Sequence, residues 1–232
     1  MVESEIRLEK ADLVILENRW QDACSERGLT GKRTFAQSSV FELVARAYFE
    51  REGYHNLDHL SFMFRLLDQY KDKLSRPKIV DLAVFYHDVV YNPRSKTNEE
   101  DSAERAATDL TKMGANQSTI DSVYVLIHAS KDHKVNSVFA DDTSFFLDSD
   151  MAILGSDPES YAKYAQGVAR DFKSVEPLLY VAGRQNFLSG LVDTRIFSTA
   201  EMYARFQVRA QQNIAHELEQ LAIIKDRLSS AN

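Results

Sequence analysis

Five of the six histidines, His55, His59, His87, His128 and His133, fall within one stretch of the chain, and carboxylates stand beside several of them. If a helix begins near Asn56, His55 and His59 lie one turn apart and are able to converge on one site. In Ala83–Tyr91 an ionisable doublet, His87-Asp88, interrupts an otherwise apolar run. Burying a carboxylate alone is costly, so this doublet calls for a hydrogen bond, a salt bridge or a shared cation. Asp148-Ser149-Asp150 poses the same question inside Phe146–Met151. Two carboxylates in apolar surroundings repel unless a cation sits with them, although helix capping explains one of them equally well. Neutral imidazoles with carboxylates form a mixed nitrogen and oxygen donor set suited to divalent Mn, Fe, Co, Ni or Zn, with Mg also a candidate. Cys24 is the only cysteine, so no thiolate-rich structural zinc site is available, and a catalytic ion is the better expectation. His216, far from the others and beside Glu217, reads as a solvated surface residue.

The elements that must position these groups read as helices. Only 8 Gly and 4 Pro interrupt 232 residues, too few turn formers for a hairpin-rich sheet protein. The expected class is all-α, a single helical bundle and one domain over residues 1–232. Spacing predicts a first helix from Ile6 to Arg27 stopped by Gly28, and a second from about Ser39 to Arg51 ended by a left-handed Gly53. A third starts near Asn56, a fourth has Pro77 as its first residue, and a fifth is capped by Asn98 and stops at Gly114. Ile120, Val123 and Ile127 mark a sixth. Phe145–Leu154 suits either a buried strand or a buried helix, and its surroundings favour helix. Asp157-Pro158 opens another helix, and Thr199 to Leu228 forms a long amphipathic one. The stripe Tyr203, Phe206, Ala210, Ile214, Leu218, Leu221 reads as a core face, with a homodimer seam as the alternative.

Apolar residues make up 44% of the chain, enough for a substantial core. The formal charge of −7, without any basic block, argues against a nucleic-acid duplex as partner. The lone cysteine, the charged start of the chain and the lack of an apolar run near ~18 residues lead to the expectation of a cytoplasmic protein that does not span a membrane.

The order His59, His87-Asp88, Asp150 resembles the HD-domain superfamily of metal-dependent phosphohydrolases, helical bundles in which four such residues bind a divalent metal. Tyr54-His55-Asn56-Leu57-Asp58-His59 looks like the YHNxxH motif of cyclic-nucleotide phosphodiesterases in that superfamily. Over about residues 10 to 225 the chain is similar to a family of bacterial predicted HD phosphohydrolases. The shared features are YHNLDH, FYHDVVY, NEEDSA at Asn98–Ala103, FLDSDMAILG at Phe146–Gly155, Gly183-Arg184 and the Ala210…Asn213 pattern.

This resemblance implies His59, His87 and Asp88 as metal ligands, with Asp150 as the fourth and Asp148 as its alternate. It implies His55 as a proton donor and Asp88 or Glu99 as proton acceptor. His128 resembles a second-metal position, with His133 five residues on as a further candidate ligand and orientation of substrate as the alternative role for both. Lys131 would pair with phosphate, and Arg51 would replace an arginine that HD proteins often keep directly before the Tyr-His pair. The implied reaction is hydrolysis of a small phosphomonoester or phosphodiester, nucleotides included, by a metal-activated water. A di-iron oxygenase of the same fold, and a non-catalytic regulatory protein that binds metal or ligand, are the alternatives.

Overall fold

Where glycine and proline are scarce, helices run until a cap or a proline stops them, and this chain is laid out that way. The computed structural model describes residues 10–25, 35–135 and 140–230. Among these the chain is all-helical, with no strand. The helices are α1 (Lys10–Ala23), α2 (Phe35–Phe49), α3 (Leu57–Asp68), α4 (Pro77–Tyr86), α5 (Asn98–Lys112), α6 (Gln117–Ala129), α7 (Ala140–Met151), α8 (Pro158–Asp171), α9 (Pro177–Ser189) and α10 (Ala200–Ser230). Short 3-10 turns cover Lys71–Lys73 and Ala152–Gly155. No described helix is long and apolar enough to cross a membrane.

Local chemistry explains most of the boundaries. The Asn56 side chain caps α3 by accepting from the main-chain N–H of Asp58 and His59, at 2.9 and 3.3 Å. Pro77 and Pro158 open α4 and α8 at positions where no N–H is needed. Asp157 caps α8 as well. Gly114, at φ +82°, follows the end of α5 in the left-handed conformation that suits glycine.

Three expectations need correction. Asn98 is the first residue of α5 rather than its cap, because its side chain holds the main chain of Asn92 instead. Helix α9, opened by Pro177, falls in a stretch where no helix was expected. Gly53 is not a left-handed terminator. A Cβ there would lie 1.7 Å from Asp171 Oδ1, so glycine is required by the close approach of that carboxylate. The expected ends of the first helix, at Ile6 and at Arg27-Gly28, lie outside the described residues.

Helix α4 is the hub. Eight of its residues, Ile79 to Tyr86, are buried, as expected for a helix enclosed on all sides. It packs against α1, α3, α5, α6 and α7. Trp20 of α1 meets Phe41, Phe85 and Tyr86 with ring centroids 6.0, 5.2 and 5.8 Å apart. Cys24 packs beside it, and burial pushes its thiol up to about 12. Helix α10 packs against α9 and the Ala152–Gly155 turn. Its stripe is largely core: Phe206, Ala210, Ile214 and Leu221 are buried, whereas Tyr203 is exposed.

One charge is buried under the hub. Arg19 bridges Asp68 and Asp81, each at 2.8 Å. The two ends of the Arg19–Asp81 pair respond differently. Two carboxylates favour the guanidinium despite its partial burial, whereas loss of water outweighs the pairing for Asp81 and pushes its carboxyl up to about 6. Between the ordinary carboxylate value and about 6, the folded chain therefore holds a proton that the unfolded chain has released. Stability from this group is present at low pH and is lost as pH rises through about 6. The size is about 3 kcal/mol on the scale of ~1.4 kcal/mol per pH unit. Urea titrations at pH 4 and pH 7 should show Asp81→Asn gaining relative to wild type at the higher pH, and an unchanged difference would refute the assignment.

Candidate metal centre

His87, Asp88 and Asp150 line a cavity of about 690 Å³, and His59 joins His87 and Asp150 in one close group of donor atoms. The Asn56 cap fixes the first turn of α3 and turns His59 inward, where it is fully buried. His87 ends α4. Its Nδ1 lies 2.9 Å from the Val84 carbonyl, and donation there leaves Nε2 as the free ring nitrogen. Asp150 comes from the last turn of α7.

His59 Nε2 lies 3.1 Å from His87 Nε2 and 3.2 Å from Asp150 Oδ1. His87 Nε2 is 3.8 Å from the same oxygen and 3.2 Å from Asp88 Oδ2. Donor atoms of His59, His87 and Asp150 all fall within 4.8 Å of one another. Among the described residues this is the group that could hold a metal ion. Ligands bonded at ~2.0–2.2 Å to one ion stand about 3 Å apart when adjacent, so the separations fit a shared cation. Asp88 is outside that mutually close set, but its Oδ2, 3.2 Å from His87 Nε2, is within reach as a further oxygen donor. The C-terminal end of α4 points its negative dipole at the same place, which also favours a cation.

Electrostatics carry the same message. Burial lowers His59, and the nearby Asp150 only partly opposes this. Burial would lower His87 too, but Asp88 and Asp150 outweigh it and raise the imidazole to about 9. The neighbouring rings shift in opposite directions because burial prevails at His59 and the two aspartates prevail at His87, with repulsion from His87 a smaller contribution at His59. Asp88 and Asp150 would be raised by burial, yet both are held below the usual carboxylate range. For Asp88 the cause is His87; for Asp150 it is hydrogen bonding with His133 and His59. Two half-buried carboxylates thus favour a positive charge beside them.

The remaining expected site residues are distributed unevenly. His133, held at φ +52°, sets Nε2 3.3 Å from Asp150 Oδ2 and lines the cavity. His55 also lines it, stacked on Tyr91 with centroids 4.3 Å apart. Glu99 is on the wall at the first turn of α5. Asp148 is turned away. Its Oδ1 accepts from Ser198 N–H at 2.8 Å, and its Oδ2 accepts from Thr199 N–H and hydroxyl, so it ties down the start of α10. Between the two aspartates, only Asp150 offers an oxygen to the histidines.

Arg51 does not line the cavity either. Its fork donates to the carbonyls of His55 and Val89, at 2.9 and 3.0 Å, and fastens two loops together. His128 is exposed on α6 with its ring against Tyr124. Lys131 pairs with Glu100 outside the cavity.

Asp171, absent from the expected set, is the most telling addition. Its Oδ2 lies 2.7 Å from His55 Nδ1 and accepts from the Tyr54 N–H at 3.0 Å. This leaves His55 Nε2 as the free ring nitrogen. Gly53 provided the one local hint, a glycine that leaves room for the carboxylate. Tyr54 Oη is buried without a hydrogen-bond partner and its residue lines the cavity.

The fold and site therefore define an all-helical protein with a His-His-Asp group able to hold a metal ion. Comparisons with protein-family models, curated proteins and solved structures found no match to the chain.

Proposed function

We propose that this chain is a metal-dependent phosphohydrolase of the HD type, in which His59, His87, Asp150 and Asp88 hold the ion. The observation that carries the reading is the shared cavity. It brings His87, Asp88 and Asp150 together with a second, separately held histidine, His55. A divalent ion in such a site polarises a phosphoryl oxygen and acidifies water.

The chain's own groups do the rest. Asp171 orients His55 through Nδ1, so that protonated Nε2 donates to the leaving oxygen. Tyr54 Oη, without a partner inside the protein, donates to a phosphoryl oxygen. His133 steadies Asp150 from the other side. Glu99 or Asp88 accepts the proton released by water. The oxygenase alternative draws on His128 and His133 as extra ligands; His133 lines the cavity beside Asp150, but His128 lies outside it. This favours hydrolysis.

Elemental analysis of protein purified without chelator, followed by a panel of phosphomonoesters and phosphodiesters, tests the reading. Bound metal with no turnover anywhere in the panel would leave a binding protein instead. Replacing His55 by Ala should keep metal content and lower kcat by about 10²–10⁴, the usual contribution of a positioned proton donor. Loss of metal from that variant would return His55 to the ligand set.

A further inference from the structure

The cavity is larger than a phosphoryl group requires, and its far wall differs in character from the metal end. Volumes of about 300–1,000 Å³ are typical of sites that enclose a whole small molecule, and this one is about 690 Å³. Helices α8 and α9 form the far wall with residues at turn spacing: Val168 on α8 and Phe172 directly after it, and Tyr180, Gly183 and Phe187 on α9. Leu179 adds to it and is 67% exposed, while Phe187 is 42% exposed, so two large apolar side chains face open space.

The charged group on this wall is already satisfied. Arg184 donates both to Glu217 and to Tyr164 Oη, and its guanidinium lies over the Tyr164 and Phe187 rings. What remains toward the cavity is apolar and aromatic surface.

Gly183 adds room to this wall. Glycine is the poorest helix former after proline, so a mid-helix glycine usually marks a close neighbour. Here a Cβ at position 183 would have no heavy atom within 4 Å. Gly183 is exposed, and its missing side chain leaves open space beside the apolar residues of α9 that line the cavity.

We propose that the α8–α9 wall is a subsite for the organic part of the substrate, and that this part is an aromatic or other apolar group rather than a sugar. The identity of the attached group as a phosphate ester rests on the phosphohydrolase reading; the subsite does not. Phe172 and Tyr180, with ring centroids 5.7 Å apart, and Phe187 supply the surfaces that would cover a planar ring.

The test uses the full chain with its metal, and naphthol as a neutral aromatic probe followed by fluorescence. Wild type should bind naphthol saturably. Gly183→Phe, which fills the space, and Leu179→Asp, a change at an exposed position, should each weaken binding about tenfold or more. Gly183→Ala serves as the folding control and should raise Tm by about 2–4 °C. Absence of saturable binding to wild type, or wild-type affinity in both variants, overturns the subsite. Naphthyl phosphate and methyl phosphate separate the two claims. Naphthol binding without hydrolysis of either ester keeps the subsite and removes the hydrolase. Hydrolysis of both at equal kcat/KM, with no naphthol binding, does the reverse.

Discussion

Replacing His87 by Ala should leave a folded chain whose divalent-metal affinity is weakened by more than about 100-fold, the upper end of what losing a mere supporting contact costs. His87 Nε2 is the atom around which the site is built, with His59 Nε2 at 3.1 Å, Asp88 Oδ2 at 3.2 Å and Asp150 Oδ1 at 3.8 Å. Removing it takes away a nitrogen donor and leaves two half-buried carboxylates without their shared imidazole partner. Metal-induced stabilisation gives a second readout. At 100 times Kd a ligand adds about 2.7 kcal/mol, which for a chain of this size raises Tm by about 5–10 °C. Wild type should show that rise on adding Mn²⁺, and His87→Ala should not. Phosphatase turnover, if present in wild type, should vanish with it. Full metal occupancy in purified His87→Ala protein would end the assignment.

The largest effect on stability should come from a site with no part in metal binding. Glu217→Ala should lower the unfolding free energy by about 3–5 kcal/mol, the cost of leaving a buried charge unpaired. Arg184 and Glu217 are both buried and meet in a two-pronged pair at 2.8 and 3.0 Å. Tyr161 Oη donates to the same carboxylate at 2.5 Å, and Tyr164 Oη accepts from Arg184 at 3.0 Å. One carboxylate thereby joins α8, α9 and α10, and its loss strands a guanidinium among aromatic rings. Urea denaturation measures the difference. The double variant Arg184→Met, Glu217→Leu should recover most of it, because an apolar replacement of both partners avoids the unpaired charge. Equal losses in the single and double variants would mean that side-chain shape, not charge, is what matters there.

The helix starts at Asn56, Pro77 and Asp157-Pro158 were legible because a cap or an N-terminal proline acts on groups within a few residues of itself. Asn98 misled for the same reason: a residue type that can cap also bonds well in a turn, and Asn98 chose Asn92. Helix α9 gave little amphipathic contrast to read, since Leu179 and Phe187 face the cavity rather than the core.

Taken alone, the sequence determined that the chain is helical and which residue types could do chemistry. Scarce breakers and turn-spaced apolar positions dictate helices locally, and a histidine or aspartate in an apolar run demands a partner whatever the fold. Which partner it receives is decided by packing. Asp148 and Asp150 are two residues apart and look equivalent in the chain, yet α7 aims Asp150 at the histidines and Asp148 at the start of α10. His55 meets Asp171 across a separation of 116 residues, and Arg184 meets Glu217 across 33. Pairings at such distances depend on how helices dock, which no spacing rule within one helix contains.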